Sequence, residues 1–208
     1  MKPLSTGTGL KDRLKQFDIC LLICTSVLSI ISILLMYSIA DSEGYGLLRM
    51  QAAATLVGVF VMVFLATVDY QEVVNKLWVI FLIGEIGLLG ITLLFGVAEG
   101  ENQSWLEIGP ITIQPSEFVK GTFIVTFSKH LDMVKHKINH PMSLLGLGIH
   151  AGGIIGLILL SGDLGVALVY CGIVALMLFC AGLSLFYFLG AGVALFVAIP
   201  YVWEFLKD

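Results

Sequence analysis

The chain has 208 residues, of which 58% are hydrophobic and only 12% charged. A soluble domain carries roughly 25% charged residues, so water cannot be the main solvent of this protein. The charges cluster at the N-terminus and between apolar runs, so the net charge of −4 says little about partners, and no basic patch interleaved with aromatics points to nucleic acid.

Residues 1–18 carry Lys2, Lys11, Arg13 and Lys15 and read as a cytoplasmic segment. Residues 19–208 read as a single transmembrane helical domain, its spans counted at roughly 20 apolar residues each. The first span is 19–39. Ser38-Ile39-Ala40 offers a small-x-small cleavage site, but the run exceeds the usual signal core of about 7–15 residues, so a retained span is expected. The second span is 52–68. The third, 77–97, carries Glu85 in its middle, where the acid needs a partner, a proton or water; His150 and Lys120 are both candidates. The fourth, 116–131, is weak and contains Lys120. The fifth is 143–160. Residues 164–181 and 185–203 give a sixth and a seventh, with Ala181-Gly182-Leu183-Ser184 as the turn between them. Cys20, Cys24, Cys171 and Cys180 all fall inside apolar runs and read as small buried hydrophobes, not as a disulfide framework or metal site. Gly84, Gly87 and Gly90, and Gly148, Gly152 and Gly156, form small-residue stripes suited to internal helix packing.

Loop charge arbitrates the weak fourth span. If all seven segments cross with the N-terminus inside, Lys76, Lys129, Lys135 and Lys137 are cytoplasmic, and Arg49 and Lys207 alone are outside. If the fourth did not cross, the cluster from Lys129 to Lys137 would move outside and the bias would weaken. The expected fold is therefore an all-α polytopic membrane protein of about seven helices, N-in and C-out. The loop 99–115 and the segment Ser161-Gly162-Asp163 then face outward.

Three ionisable residues gather at that outer face. Lys120 lies about one turn inside a helix, where insertion costs about 2.5–3.5 kcal/mol. Glu117 is three residues earlier, on the same helical side. Asp163 precedes the sixth apolar run. Each has a plain structural role available: Glu117 complements the positive helix end, Asp163 is a natural N-cap, and Lys120 can snorkel along its aliphatic stem. Caps alone do not need the lysine, and the three together point to an outward-facing polar cavity.

The stretch Ser104-Trp105-Leu106-Glu107-Ile108-Gly109, followed by Ile113-Gln114-Pro115-Ser116-Glu117-Phe118-Val119-Lys120, resembles the signature of the SEDS family (shape, elongation, division and sporulation), which includes RodA, FtsW and sporulation relatives. The family pattern is close to R-W-[IL]-x-[IL]-G, then Q-P-[SA]-E-x-x-K. Asp163-Leu164-Gly165 with Ala167-Leu168 resembles the second signature, Q-P-D-L-G-T-A-L. Ser104 stands where the family has arginine, Ser161-Gly162 where it has Gln-Pro, and Val166 where it has threonine. Family members have about ten spans, against the seven that roughly 20-residue spacing allows here, so the resemblance covers the N-terminal part of the fold and implies a truncated form. The family's catalytic aspartate lies in an outer loop after the seventh span, where this chain ends. No catalytic role is carried over to Asp208, and this chain alone is expected to be inactive.

The resemblance, closest to RodA, implies a peptidoglycan glycosyltransferase of the bacterial cytoplasmic membrane. Such an enzyme polymerises lipid II, an undecaprenyl-pyrophosphate-linked disaccharide-peptide, with a class B penicillin-binding protein as partner transpeptidase, in cell elongation or division. It also implies Trp105, Gln114, Ser116, Glu117, Lys120 and Asp163 as the lining of a polar substrate cavity. That cavity could hold a pyrophosphate, a sugar hydroxyl and a divalent cation, with Lys120 as a point charge toward phosphate. Two alternatives keep the same helices: a non-catalytic assembly partner of the cell-wall machinery, and a lipid or ion transporter. Neither an inverted repeat nor paired broken helices favour the transporter.

Overall fold

A computed structural model describes residues 19–190, apart from 69, 100, 101 and 110, together with Gly192. The seventh apolar run is described over 185–190, which is helical, and at Gly192; the remainder of that run lies outside the described residues. The chain divides into two compact units, Met1–Tyr70 and Gln71–Asp208.

The first unit contains α1 (Ile19–Glu43) and α2 (Tyr45–Thr67). Gly44 separates them with φ 84°, and its N–H donates to the Ala40 carbonyl at 2.9 Å. This left-handed break is open to glycine without a Cβ penalty. It lets α2 begin at Tyr45 with almost no loop. The two helices are tied by Gln51 Nε2 donating to Ser32 Oγ at 2.8 Å, the kind of interhelical polar contact that holds membrane helices together. Cys20 and Cys24 are exposed on α1, as Cys171 and Cys180 are later in the chain. The expectation of buried cysteines is therefore corrected: in a membrane chain an apolar residue can face outward at no cost, because lipid is as apolar as a protein core.

The second unit begins with α3 (Tyr70–Phe95), whose first residue closes the first unit's range. After it come β1 (Val97–Glu99), β2 (Asn102–Ile108) and β3 (Ile111–Ile113). They form an antiparallel meander with Val97 opposite Trp105 and Leu106 opposite Ile113. Gly96 makes the entry: a Cβ there would collide with the Thr92 carbonyl and lie 2.9 Å from the Gln103 carbonyl oxygen. The architecture is all-α across the membrane helices, with this small sheet added in one connection.

Next come α4 (Pro115–Val134), a 3₁₀ turn (Lys135–Lys137), α5 (Pro141–Leu160) and α6 (Leu164–Cys180). Proline opens both α4 and α5 at the first-turn position, where its missing N–H costs nothing. Gly162, φ 84°, and Gly182, φ 86°, turn the chain after α5 and after α6. Four helical segments are long and apolar enough to cross a membrane: Ile19–Ala40, Tyr45–Ala66, Gln71–Phe95 and Pro141–Leu160. α4 is not among them, yet it supplies much of the core. Val119, Phe123, Thr126, Phe127 and Leu131 are buried on it, packed with Leu147, Ala151, Ile154 and Ile158 of α5 and Ala167 and Tyr170 of α6. Phe123 stacks on Phe127 with centroids 5.4 Å apart and meets Tyr170 at 5.2 Å.

The glycine stripes are a second correction. A Cβ built at Gly84, Gly87, Gly90, Gly148, Gly152 or Gly156 meets nothing within 4 Å. Among the described residues no side chain packs on them, so they are open faces rather than internal seams.

Candidate functional site: the polar end of the second unit

Four chain segments converge where α4 and α6 begin. Gln114 precedes Pro115, which disfavours helical backbone at that position; it is extended, with φ −98° and ψ 105°. Its side chain does not cap its own helix. Instead Gln114 Nε2 donates to Asp163 Oδ2 at 2.8 Å. Asp163 is the N-cap of α6, its Oδ1 accepting from the Val166 N–H at 2.9 Å. One carboxylate thus closes α6 and holds the entry of α4. Asp163 is buried and both oxygens receive N–H donors, which is what a buried acid requires.

Two further bonds complete the frame. The Tyr170 hydroxyl donates to the Ser116 carbonyl at 2.7 Å, fully buried. The Gln103 backbone N–H donates to the Ser161 carbonyl at 3.0 Å, docking β2 on the turn between α5 and α6. Ser104 Oγ and Ser116 Oγ are buried beside this frame with no hydrogen-bond partner. The pairing expected of Glu117 and Lys120 is present: Lys120 Nζ donates to Glu117 Oε1 at 2.7 Å. It is a half-exposed pair, with side-chain exposures of 24% for Lys120 and 52% for Glu117.

Of the residues singled out from sequence, Gln114, Ser116 and Asp163 are joined through this frame, and Glu117 with Lys120 forms a separate pair one turn further along α4. It is Gln114, not Glu117, that reaches Asp163. Trp105 is half-buried in β2 opposite Val97, and its indole makes no hydrogen bond among the described residues. Tyr170 and Gln103 were not singled out. The Tyr170 signal was present, because Asp163, Ala167 and Tyr170 share one side of α6 at i, i+4 and i+7.

A family model described as "Cell cycle protein", covering FtsW, RodA and SpoVE, matches residues 13–208. The chain belongs to the FtsW/RodA/SpoVE family. One relative is the "Probable peptidoglycan glycosyltransferase FtsW" of Trichlorobacter lovleyi, 28% identical over 206 residues, which takes in 91% of this chain and 51% of the relative. Another is the "Peptidoglycan glycosyltransferase RodA" of Treponema pallidum, 35% identical over 178 residues, 82% of this chain and 40% of that one. This FtsW/RodA/SpoVE chain therefore spans about half the length of the curated relatives it matches. Its fold is that of a solved structure described as "Structural coordination of polymerization and crosslinking by a peptidoglycan synthase complex". The TM-score is 0.80 at 24% identity, covering 93% of this chain and 56% of the other. Thermus thermophilus Rod shape determining protein RodA, in a mutant form, gives a TM-score of 0.74 at 22% identity, covering 86% and 59%.

Deeper in this family member, Glu85 of α3 is 2% exposed. Its partner is neither His150 nor Lys120 but Thr126, whose hydroxyl lies 3.1 and 3.2 Å from the two carboxyl oxygens. His150 turns to His130 instead, the Nδ1 atoms 3.1 Å apart, and meets both Phe123 and Phe127 edge-on. The expected room for a divalent cation is not matched by the donor set. No three His, Cys, Asp or Glu side chains converge among the described residues, and Asp163 and Glu117 are engaged by N–H donors.

Proposed function

We propose that this chain contributes the outward-facing, phosphate-recognising part of a peptidoglycan glycosyltransferase that polymerises lipid II in the bacterial cytoplasmic membrane. A class B penicillin-binding protein is the proposed partner. The observation that carries the reading is the cross-helix bond from Gln114 to Asp163. It uses one polar side chain from each of the two signature segments and fixes the start of α4, on which Lys120 sits. The family membership and the names of the relatives support the same reading.

On this reading the residues divide the work. Asp163, accepting one N–H bond on each oxygen, holds geometry by capping α6 and fixing Gln114. Gln114 and Tyr170 hold the first turn of α4 to α6. Lys120 is the cation offered to the pyrophosphate: its bond to Glu117 is accessible, so phosphate oxygens can replace the carboxylate as acceptor. Trp105 and Glu117 line the approach, and Ser116 lies buried beneath it. The sidedness follows the lysine bias, with the Gln114–Asp163 end outside and Lys129–Lys137 in the cytoplasm. A reporter active only in the cytoplasm should be active when fused after Lys137 and silent after Asn102. The reverse result overturns that orientation.

The experiment is binding of labelled lipid II to the purified chain in lipid nanodiscs. Binding is expected, and Lys120→Met should weaken it about tenfold or more, the value of one charge-assisted hydrogen bond of roughly 1.5–3 kcal/mol. Lys120→Met binding lipid II as tightly as the unaltered chain removes the proposed site.

A further inference from the structure

At the far end of the second unit, about 30 Å away along the 20 residues of α4, two connections line an open cavity of about 580 Å³. Its walls are the 3₁₀ turn with the residues leading into α5 and the turn after α6: Lys135, His136, Lys137, His140, Ala181 and Gly182. Asn139 clamps these walls together. Its Oδ1 accepts from the Ser184 N–H at 2.9 Å, and its carbonyl accepts from the Tyr187 hydroxyl at 3.1 Å. Gly182, with φ 86°, makes the turn at its mouth, where a Cβ would meet nothing within 4 Å. Ile138, nearly fully buried, forms an apolar floor.

The charge in this cavity is unbalanced. Lys135 is engaged with Asp132 at 2.8 Å, and that bond holds the Asp132 carboxyl below its usual range. The Lys137 and His136 side chains have no hydrogen-bond or ion-pair partner among the described residues. His140 Nδ1 accepts from the Met142 N–H at 3.3 Å, so its proton sits on Nε2 and is available to donate. None of the lining residues is a carboxylate. The set is the unpaired Lys137 ammonium, the His136 imidazole near Asp132 and the His140 ring with one nitrogen left over, on walls held together by Asn139.

What lies beside it selects the ligand. Met142, Leu145 and Ile149 are exposed at i, i+3 and i+7 on α5, an apolar track that starts at the cavity and runs along the membrane-crossing helix. A soluble anion has no use for that track, whereas a phospholipid does. Basic pockets between transmembrane helices at the membrane surface take anionic headgroups.

We propose that this cavity binds the phosphate headgroup of an anionic phospholipid, with Lys137, His136 and His140 on the phosphate and an acyl chain along Met142, Leu145 and Ile149. The site is independent of the lipid II reading, since it shares no residue with the other end of the unit.

The test uses the purified full chain equilibrated with vesicles of phosphatidylglycerol and phosphatidylcholine in equal parts, the retained lipid being counted by native mass spectrometry. Phosphatidylglycerol should be retained in preference. Lys137→Gln should lower its retention about fivefold, the effect of one basic residue at a charged membrane surface. His136→Gln with Lys137→Gln should lower it further, and Lys137→Arg should restore it. Lys76→Gln, which removes a lysine paired with Glu72 elsewhere on the chain, should leave it unchanged. Equal retention of the two lipids, an equal loss in Lys76→Gln, or no loss in the double variant overturns the proposal. Inorganic phosphate displacing the lipid at millimolar concentration would assign the cavity to a free anion and overturn it as well.

Discussion

α1 and α4 invert the relation between apolarity and burial. α1 is a long apolar helix bearing no basic residue, and its large side chains face outward, Leu34 being 60% exposed. α4 carries Glu117, Lys120, Lys129 and Asp132, with Ser116, Thr122, Thr126 and Ser128 between them, and its Phe127 is 0% exposed. In water this would be a contradiction. In a membrane, lipid tails solvate leucine as well as a core does, so apolar surface gains nothing by turning inward. Polar groups do gain, because only other protein groups can satisfy them there. On α4 the side carrying Ser116 and Thr126 turns inward with Phe123 and Phe127, while Glu117, Phe118 and Ile124 on its other side stay exposed.

That comparison is open to attack by mutation, and the largest effect belongs to the packed side of α4. Phe127→Ala removes a ring held by Phe123 and His150 and should cost about 3–5 kcal/mol, as in other cores, measured by unfolding in mixed detergent. A cost under about 1 kcal/mol would mean that α4 is not packed as described.

Thr126→Val is next. It takes the Thr126 hydroxyl away from buried Glu85, a loss of about 1–3 kcal/mol. Glu85→Gln should be close to neutral and should rescue Thr126→Val, because an amide costs less to bury than a carboxyl stripped of its donor. Without that rescue, Thr126 matters for its shape and not for its hydrogen bond.

A smaller effect is expected for the ion pair on the same helix. Lys120→Met, Glu117→Gln and their combination form a cycle whose coupling should be about 0.2–1 kcal/mol, the scale of exposed pairs. Full burial would instead give roughly 3–5 kcal/mol for breaking the pair. A stability coupling of that size would show the pair to be shielded in the membrane.

Smallest of all is α1. Leu34→Ala should shift stability by no more than about 0.5 kcal/mol, because the leucine meets lipid in the folded chain and in the unfolded, inserted chain alike. A core-sized loss there would show that Leu34 is covered by something other than lipid.

The membrane class, the motif resemblance and the pairing of Glu117 with Lys120 were legible in the residues. The lysine lies three positions after the acid, and helical geometry brings them together whatever surrounds the helix. The meander was legible in part: Ile111-Thr112-Ile113 and the residues before Gly109 alternate, as short strands do, but in a chain otherwise built of helices the pattern reads as loop. The partner of Glu85 was not legible. Thr126 lies 41 residues away, and a threonine in an apolar run gives no sign that its hydroxyl is needed.

The sequence by itself determined which segments are apolar, where proline and glycine stop and start the helices, and which ionisable groups share a helical turn. These follow from side-chain chemistry over a few residues. Only the tertiary structure decided which face of each helix is covered. It opened the glycine stripes, exposed the cysteines, buried one side of α4, joined Gln114 to Asp163 and placed Lys137 on an open cavity. The reason is that lipid makes every apolar face equally acceptable, so hydrophobicity loses its power to say which side is in. That choice passes to the long-range fit of a few polar and aromatic side chains, which no local pattern records.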